Sequence, residues 1–314
     1  MSKPEKIVVT GGTGYVGQAL VRRLSAAGRT ITVLSRSAEL PADLAALPGV
    51  SAAVWDPTAV GDWVSALDGA DALVHLAGRK ALGVRYTKRV KDEISTSRIR
   101  STEVLVSALE RVAQRPRVFV CASGVGYFGG KPDDHAPLDE TGPPGDDFLA
   151  RVVVEWEARA RGAERLGVRV VSSRFAAVLG RGGGGLAVMA LPFELFGGGP
   201  LGSGKQVFSW VHLEDALAAL EFCLNDERMT GPVNVAAPFA VTNAEASRAI
   251  ARALHRPSWL PAPAFALRAL FAEGAVPVLT GQRAFPRKLE DAGFRFRYPE
   301  LDAALAEALA KAPA

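Results

Sequence analysis

Short apolar runs alternate with amphipathic helical patterns over the first 175 residues of the chain. The runs are rich in β-branched residues and predict six strands: KIVVT (6–10), TITVLS (30–35), VSAAVW (50–55), ALVHLA (72–77), RVFVCA (117–122) and VRVVSSRF (168–175). Continuous apolar runs are typical of parallel strands that are buried on both faces. Helical patterns at about 14–27, 88–114 and 147–165 supply the crossovers, so the pattern predicts an α/β fold with a doubly wound parallel sheet.

The pattern changes in the second half of the chain. A Gly-rich segment, 180–204, contains one helical insert around Leu186 to Phe196 and is typical of a loop that forms the wall of a site. Further helices are predicted at about 213–225 and 243–254, and the second of these opens with a capping-box sequence. A last, mainly helical part is predicted over about 264–312.

Composition and charge narrow the functional classes. The chain has 314 residues, 48% of them hydrophobic, and a net charge of +4 without any basic run, which argues against nucleic-acid binding. It has no apolar stretch of about 18 residues and no leader-like N-terminus, so we expect a cytoplasmic protein without membrane association. Cys121 and Cys223 lie in apolar segments, and no Cys/His pair has ligand spacing, so we expect no metal site.

A Gly-rich turn follows the first predicted strand and opens the first predicted helix. It comprises Thr10, Gly11, Gly12, Thr13, Gly14, Tyr15, Val16 and Gly17. Glycines at this spacing permit a tight turn, close approach of the backbone to a pyrophosphate and close packing of helix on strand. Because the helix N-terminus also attracts phosphate, the turn predicts a dinucleotide site.

The end of the second strand indicates which dinucleotide is bound. An NAD site places an acidic residue here on the ribose 2′-hydroxyl, but this chain has Ser35 and Arg36. Arg36 is able to pair with a 2′-phosphate, and Ser35 adds a hydrogen-bond donor. We therefore expect NADP(H), against the alternative that Arg36 is an ordinary surface arginine.

Several motifs together resemble the extended short-chain dehydrogenase/reductase superfamily, and more narrowly its atypical "epimerase family protein" branch. They include the Gly turn, Asp56 after the third strand, the sequence HLAG (75–78), Ser123 after the fifth strand, VGY (125–127), PGDDF (144–148), GPLGSG (199–204), SWVH (209–212) and TNAE (242–245). The last helical part resembles the C-terminal domain of unknown function of that branch.

The resemblance implies a Rossmann-type domain over residues 1–180, to which 205–235 returns, and a smaller substrate lobe formed by 181–204 and 236–314. It also implies that NADP(H) contacts residues of the Gly turn and of the following strand ends. These are Thr10, Gly11, Thr13, Gly14, Tyr15, Val16, Ser35, Arg36, Asp56, Leu76, Ala77, Gly78, Glu93, Arg98 and Val178. The implied partner is a small-molecule substrate, and the sequence is compatible with a homo-oligomer.

The catalytic pattern of the family is incomplete. Ser123 matches the family serine, but the Tyr-x-x-x-Lys dyad is replaced by Phe148 and Val152. Epimerisation and alcohol oxidation both need a base to remove a hydroxyl proton, so the replacement argues against them. We expect an NADP(H)-dependent oxidoreductase that favours carbonyl reduction, in which Ser123 polarises the carbonyl oxygen and Tyr127 supplies the proton.

Two alternatives remain open. Tyr127 is equally compatible with a structural aromatic residue that covers the nicotinamide, and the whole chain is compatible with a non-catalytic NADP(H)-binding sensor or interaction protein. The sequence GPLGSGKQ (199–206) nearly matches a nucleotide-triphosphate loop, but the residues after it predict a strand rather than a helix. His75 and His212 are interpreted as buried structural residues, Trp156 as a packing residue and Glu157 as a surface residue.

Overall fold

A computed structural model describes residues 5–131 and 136–310. The thirteen strands of the described residues are β1 (Lys6–Thr10), β2 (Thr30–Ser35), β3 (Val50–Val54), β4 (Ala72–His75), β5 (Val118–Gly124), β6 (Pro137–Leu138), β7 (Arg169–Phe175), β8 (Ala177–Leu179), β9 (Val207–Phe208), β10 (Trp210–His212), β11 (Gly231–Val235), β12 (Val241–Thr242) and β13 (Arg283–Ala284).

The α-helices of the same residues are α1 (Tyr15–Ala26), α2 (Ala42–Ala45), α3 (Lys88–Thr96), α4 (Ile99–Leu109), α5 (Phe148–Arg161), α6 (Gly184–Glu194), α7 (Leu213–Asn225), α8 (Asn243–Leu254), α9 (Ala264–Phe271), α10 (Val276–Leu279), α11 (Arg287–Asp291) and α12 (Leu301–Ala308). Short 3-10 helices cover Asp62–Ala66, Val125–Phe128, Gly162–Leu166 and Ala272–Ala275.

The central sheet has seven parallel strands in the order β11-β7-β5-β4-β1-β2-β3. The strand order reverses between β1 and β4, and in such sheets ligands bind at the carboxyl ends of the strands on either side of that point. The doubly wound α/β fold predicted from the sequence is confirmed. β4 ends at His75, earlier than predicted, and β5 extends through Ser123 to Gly124.

One hydrophobic core lies on each face of the central sheet. Leu20 of α1 and Leu220 of α7 belong to the first core, and Leu105 of α4 and Trp156 of α5 belong to the second. Burial of a continuous apolar sheet by helices on both faces explains why these strands carry so few polar residues. A third core joins α6, α8 and α12 around β8 and β10, and it includes Trp210.

The single helix predicted over 88–114 is wrong: the chain breaks at Ser97 and Arg98 and leaves the helix after Leu109. In a continuous helix the Arg98 N–H would bond to the carbonyl of Ile94. Instead the Ser97 hydroxyl and the Arg98 guanidinium donate to that carbonyl over 3.1 and 3.2 Å, and the Arg98 N–H turns to Ser95 over 3.1 Å. Side-chain donors thus displace the backbone ladder.

The second half of the chain follows the predicted pattern closely. α7 and α8 have the predicted bounds, and α8 begins with the predicted capping box between Thr242 and Glu245. The segment 207–210, predicted as a strand, forms β9 and the start of β10. In the part of the chain that the structure describes, no helix combines the length and hydropathy needed to cross a bilayer.

Candidate cofactor and catalytic site

The Gly-rich turn packs too tightly to accept side chains at two of its glycines. Gly11 has a φ of +69°, and a Cβ there would lie 2.6 Å from the backbone nitrogen of Ala77. A Cβ on Gly17 would lie 2.0 Å from the carbonyl oxygen of Gly11. The turn therefore needs glycine both for its own conformation and for the approach of α1 and of the chain after β4.

The N-terminus of α1 leaves backbone donors free for an anion. Gly14 caps the helix without a side-chain hydrogen bond, and no acidic residue lies in the first turn. Thr13 and Gly14 are exposed, and Val16 is half-buried. Unpaired N–H groups at the positive end of a helix fit the pyrophosphate of a dinucleotide.

Tyr15 connects the turn to the Gly-rich segment. Its hydroxyl donates to the carbonyl of Arg181 over 3.1 Å, and its ring lies against Gly183 and Gly184. Burial, with a smaller effect from Glu307, raises the pKa of Tyr15 to about 12. Val178, in β8, is half-buried beside the first core and close to the same segment. The structure thus places Tyr15 at the junction of the two loops.

Arg36 lies at the carboxyl end of β2, next to the end of β1 in the sheet. It is exposed, and among the described residues its guanidinium has no hydrogen-bond or ion-pair partner. Ser35 is half-buried, and its hydroxyl accepts from the Ser37 N–H over 3.3 Å. Asp56, after β3, accepts from the Thr58 N–H and hydroxyl over 2.8 and 2.6 Å, and these bonds lower the pKa of its carboxyl.

Thr10 and His75 are fully buried and bind each other. Thr10 Oγ1 lies 2.5 Å from His75 Nδ1, and His75 Nε2 lies 3.1 Å from the Ser101 hydroxyl. Burial, together with the charge of Arg98, lowers the pKa of His75 to about 3. His75 is therefore a neutral core residue, as the sequence predicts. The buried Thr10 hydroxyl also accepts from the Ala77 N–H over 3.4 Å.

Arg98, at the break between α3 and α4, faces the end of β4. Its guanidinium lies 3.5 Å from the position that a Cβ on Gly78 would take and 5.2 Å from the ring of Trp156. Burial lowers the pKa of Arg98 to about 10, and within residues 5–131 and 136–310 it has no carboxylate partner. A half-buried guanidinium without a counter-charge fits a polar or anionic group of a ligand.

Leu76 and Ala77 are half-buried and follow β4 beside the Gly turn. Glu93 lies on α3 and binds Arg79 and Arg89, each over 2.8 Å, and these partners lower the pKa of its carboxyl. Glu93 and Arg98 therefore differ. The Glu93 carboxylate already pairs with two arginines, whereas the Arg98 guanidinium has no carboxylate partner among the described residues.

Ser123 takes part in a buried polar cluster that the sequence does not predict. Its hydroxyl donates to Glu157 over 2.6 Å, and Arg174 donates to both oxygens of the same carboxylate over 2.7 and 2.8 Å. Ser123, Glu157 and Arg174 are 6%, 3% and 2% exposed. The prediction that Glu157 lies on the surface is wrong, because the opposite charge of Arg174 compensates its burial.

Tyr127 lies in the turn that follows β5. The Arg174 guanidinium stacks over its ring at 3.4 Å from the centroid, and Phe128 contacts the ring edge-on at 5.4 Å. Tyr127 is half-buried, and its hydroxyl bonds to no other residue in the part of the chain that the structure describes. The cluster therefore holds the ring of Tyr127, while its hydroxyl has no hydrogen-bond partner among the described residues.

Apolar side chains, Phe148 and Val152, occupy the positions of the absent Tyr-x-x-x-Lys dyad. Phe148 contacts the ring of Tyr86 edge-on at 5.4 Å, and Val152 is buried in the same cluster with Ile94. The Tyr86 hydroxyl donates to the carbonyl of Ala81 over 3.0 Å, and burial raises the pKa of Tyr86 to about 12. One cation does lie nearby: Lys91 Nζ is 5.1 Å from the centroid of the Phe148 ring, and it forms an ion pair with Glu273.

Other candidate residues have structural partners. Gln206 donates to the carbonyls of Leu201 and Val278 and precedes β9, so the 199–206 segment is not followed by the helix that a phosphate-binding loop requires. His212 caps α7 by accepting from the Glu214 N–H over 3.2 Å. Among residues 5–131 and 136–310, no three His, Cys, Asp or Glu side chains cluster as metal ligands would.

Two family models match the chain. The model of the NAD dependent epimerase/dehydratase family covers residues 7–236. A domain of unknown function, DUF1731, covers residues 262–308. These matches confirm the resemblance identified from the motifs, including that of the last helical part.

Known proteins resemble the chain over nearly its full length. An Arabidopsis thaliana protein, the chloroplastic homologue of epimerase family protein SDR39U1, is 40% identical over 95% of this chain and 85% of its own length. The crystal structure of human epimerase family protein SDR39U1 with NADPH is 35% identical, with a TM-score of 0.84 over 97% of this chain and 99% of that one. A Bacillus cereus UDP-glucuronic acid 4-epimerase, at 14% identity and a TM-score of 0.80 over 97% of this chain and 98% of that one, shares the fold.

Proposed function

Because the chain belongs to the NAD dependent epimerase/dehydratase family, we propose that it binds NADP(H) at the carboxyl edge of the central sheet and reduces a carbonyl group of a small-molecule substrate. The observation that carries the proposal is the uncapped N-terminus of α1 beside Gly11, with the free guanidinium of Arg36 at the neighbouring strand end. The human relative that was crystallised with NADPH supports the choice of cofactor.

We assign each part of the cofactor to different residues. Arg36 and Ser35 hold the 2′-phosphate, and the first turn of α1 holds the pyrophosphate. Arg98 lies at the far side of the same edge, beyond Gly78. We assign the remaining contacts to the other residues that the resemblance implies: Gly11, Thr13, Gly14, Tyr15, Val16, Asp56, Leu76, Ala77, Glu93 and Val178.

When bound, NADPH supplies a hydride to the carbonyl carbon. Tyr127 donates its phenolic proton to the carbonyl oxygen, so a C–H and an O–H bond form as the C=O double bond becomes single. Ser123 does not polarise that oxygen, since its own proton is held by Glu157. Ser123, Glu157 and Arg174 instead position the ring of Tyr127. Reduction is favoured over oxidation because Phe148 and Val152, at the positions of the family dyad, cannot accept a hydroxyl proton.

A substrate screen with matched variants tests this proposal. Aldehydes and ketones are offered to the protein with NADPH, and cofactor consumption is followed by absorbance. Loss of a general acid costs about 10²–10⁴-fold in rate, so Tyr127→Phe should lower turnover by at least about a hundredfold and leave the NADPH dissociation constant unchanged. Tyr298→Phe, which removes a hydroxyl from a ring that lies 4.0 Å from the His212 ring between centroids, is the control. Unchanged turnover in Tyr127→Phe would exclude Tyr127 as the donor.

A second candidate function is NADP(H) binding without turnover, as in a sensor or interaction module. Two observations favour it: the Ser123 hydroxyl is committed to Glu157, and Phe148 and Val152 close the dyad positions with apolar groups. NADPH binding combined with no reduction anywhere in the screen would support it. Reduction of any carbonyl compound that depends on Tyr127 would exclude it.

A further inference from the structure

The connection between β4 and α3 is held by the C-terminal part of the chain. We call residues Arg79–Thr87 the β4–α3 segment and residues Ala264–Ala275 the α9 segment. The α9 segment lies in the part that matches the domain of unknown function. We propose that docking of the α9 segment positions the β4–α3 segment and Arg98 for the cofactor, so that docking and NADP(H) binding strengthen each other. This inference rests on the proposed binding of NADP(H).

Arg85 makes the first connection. Its guanidinium donates to the carbonyls of Ala269 and Leu270 over 2.5 and 3.0 Å, in the last turn of α9. These carbonyls have no partner within their own helix, and the C-terminus of a helix carries partial negative charge. Arg85 therefore caps α9 across about 185 positions of sequence, and its capping ties the two segments together.

Three more contacts surround this cap. The Tyr86 N–H donates to the carbonyl of Phe271 over 3.2 Å, and Lys91 on α3 forms an ion pair with Glu273. Gly274 approaches so closely that a Cβ there would lie 2.3 Å from the carbonyl oxygen of Val84. These contacts combine a backbone hydrogen bond, an ion pair and close steric fit, so together they hold the α9 segment against the β4–α3 segment.

Ala272 links the docked residues in a conformation unusual for alanine, with a φ of +54° and a ψ of −131°. This region favours glycine, so the surrounding contacts must hold the backbone there. Ala272 lies directly between Phe271 and Glu273, the two residues that bind Tyr86 and Lys91. The unusual backbone conformation of Ala272 therefore lies within the contact between the two segments.

The β4–α3 segment leads directly to the cofactor residues. At its start the Arg79 N–H donates to the Ser97 hydroxyl over 3.0 Å, and the Arg79 guanidinium binds Glu93 over 2.8 Å. Ser97 and Arg98 form the break between α3 and α4, and Arg98 faces Gly78. A shift of the segment would therefore move Gly78, the residue before Arg79, relative to Arg98.

The segment also closes the site at Phe148. Tyr86, bonded to the α9 segment through its N–H, packs its ring on Phe148, where the family has its catalytic tyrosine. The α9 segment thereby acts through Tyr86 and Arg98. Arg85 and Glu273 are positioning residues, because neither lies in the cofactor path.

Binding coupled to docking has two measurable signs. If docking strengthens cofactor binding, the cofactor must strengthen docking by the same factor. Arg85→Met should weaken NADPH binding about tenfold, within the usual range of such coupling, and should speed amide hydrogen exchange in residues 264–275. NADPH should slow exchange there in the wild-type protein. Lys88→Met is the matched control. Lys88 is exposed and lies three residues after Arg85, and its replacement by methionine also removes one positive charge.

A double variant separates positioning from general loss of stability. If Arg85 acts through Arg98, the losses of NADPH affinity in Arg85→Met and Arg98→Met should not add in Arg85→Met/Arg98→Met. Glu273→Gln removes only the charge of the ion pair to Lys91 and should give a smaller loss in the same direction, which covers the case in which Arg85→Met does not fold.

The outcomes distinguish the two proposals. A wild-type protein that fails to bind NADPH overturns the proposed function and this inference with it. If the wild-type protein binds NADPH, and Arg85→Met or Glu273→Gln loosens residues 264–275 but leaves NADPH affinity unchanged, the inference alone is overturned. Full additivity of Arg85→Met and Arg98→Met would likewise exclude action through Arg98.

Discussion

The hydroxyl of Ser123 donates its proton to Glu157 over 2.6 Å, across 34 positions of sequence. A serine hydroxyl has one proton, so Ser123 has only lone pairs to offer to any other group. The same carboxylate receives two N–H donors from Arg174, whose guanidinium stacks on Tyr127. In the proposed reaction, we therefore assign Ser123 to the support of Tyr127 rather than to the reacting oxygen.

Replacing Arg36 by glutamate should reverse the preference between the two cofactors. The exposed guanidinium at the end of β2 has no partner among the described residues, and we propose that it binds the 2′-phosphate, whereas glutamate would bind a ribose 2′-hydroxyl and repel the phosphate. We expect NADPH affinity to fall at least about tenfold, since a charge-assisted hydrogen bond is worth about 1.5–3 kcal/mol, while NADH affinity does not fall.

Titrations that follow nicotinamide fluorescence measure both constants. Arg161→Glu, at the exposed end of α5, makes the same charge change elsewhere and should leave both constants unchanged. Equal losses for NADPH and NADH in Arg36→Glu would show that Arg36 does not read the 2′-phosphate.

Adding one methyl group at Gly17 should abolish cofactor binding. Its Cβ would lie 2.0 Å from the Gly11 carbonyl oxygen, so α1 must shift away from the turn. Gly185→Ala is the control, because a Cβ there meets no atom within 4 Å. Isothermal titration with NADPH compares the two variants, and circular dichroism establishes that both are folded. Wild-type affinity in a folded Gly17→Ala would place the dinucleotide elsewhere.

Removing the charge of Arg174 should destabilise the protein strongly. Arg174→Met leaves the buried carboxylate of Glu157 without its counter-charge, and breaking a buried pair in this way costs about 3–5 kcal/mol. The comparison is Arg252→Met, whose pair with Asp302 has side chains that are 61% and 69% exposed. An exposed pair contributes about 0–1 kcal/mol. Urea unfolding of both variants measures the difference, and equal losses would contradict a buried, ionised pair.

The buried neutral His75 should make stability depend on pH. Its pKa in the folded protein is about 3, below the ordinary value of 6.5, so the unfolded chain binds a proton that the folded one does not between these values. This contribution to stability is complete above pH 6.5 and is lost as the pH falls toward 3. The loss from His75 between pH 7 and pH 5 should be about 2 kcal/mol.

Urea unfolding at the two pH values tests the contribution of His75. His75→Gln should have lower stability at pH 7, because the bonds to Thr10 and Ser101 change, but a shallower loss toward pH 5. His255→Asn, at an exposed position, should keep the wild-type loss. An unchanged loss in His75→Gln would mean that another group titrates.

Much of the site could be predicted because it depends on short stretches of chain. The turn from Gly11 to Gly17 sits between a strand and a helix that are both evident from their own residues, and Arg36 simply follows the next strand. Helix α8 shows its start through Thr242 and Glu245, which contact each other three positions apart. The hydrophobic period and the turn-forming residues act over a few neighbouring positions, so they can be recognised from the sequence alone.

The buried cluster left one signal in the sequence. Arg174 interrupts the apolar run of β7, and a charged residue inside a buried strand indicates a buried partner. The identity of that partner was not readable, because Glu157 lies 17 positions away on α5 among other charged residues. The break at Ser97 and Arg98 was also missed, since it depends on competition among donors for one carbonyl, that of Ile94.

The sequence by itself determined the doubly wound sheet, the Gly turn with Arg36 beside it, and the absence of the Tyr-x-x-x-Lys dyad at Phe148 and Val152. Only the tertiary structure decided that Ser123 gives its proton to Glu157, and that Arg85 caps a helix about 185 positions further along the chain. The physical reason is that local conformation follows from neighbouring residues. The direction of a hydrogen bond and the burial of a charge depend on which distant segments fold against each other.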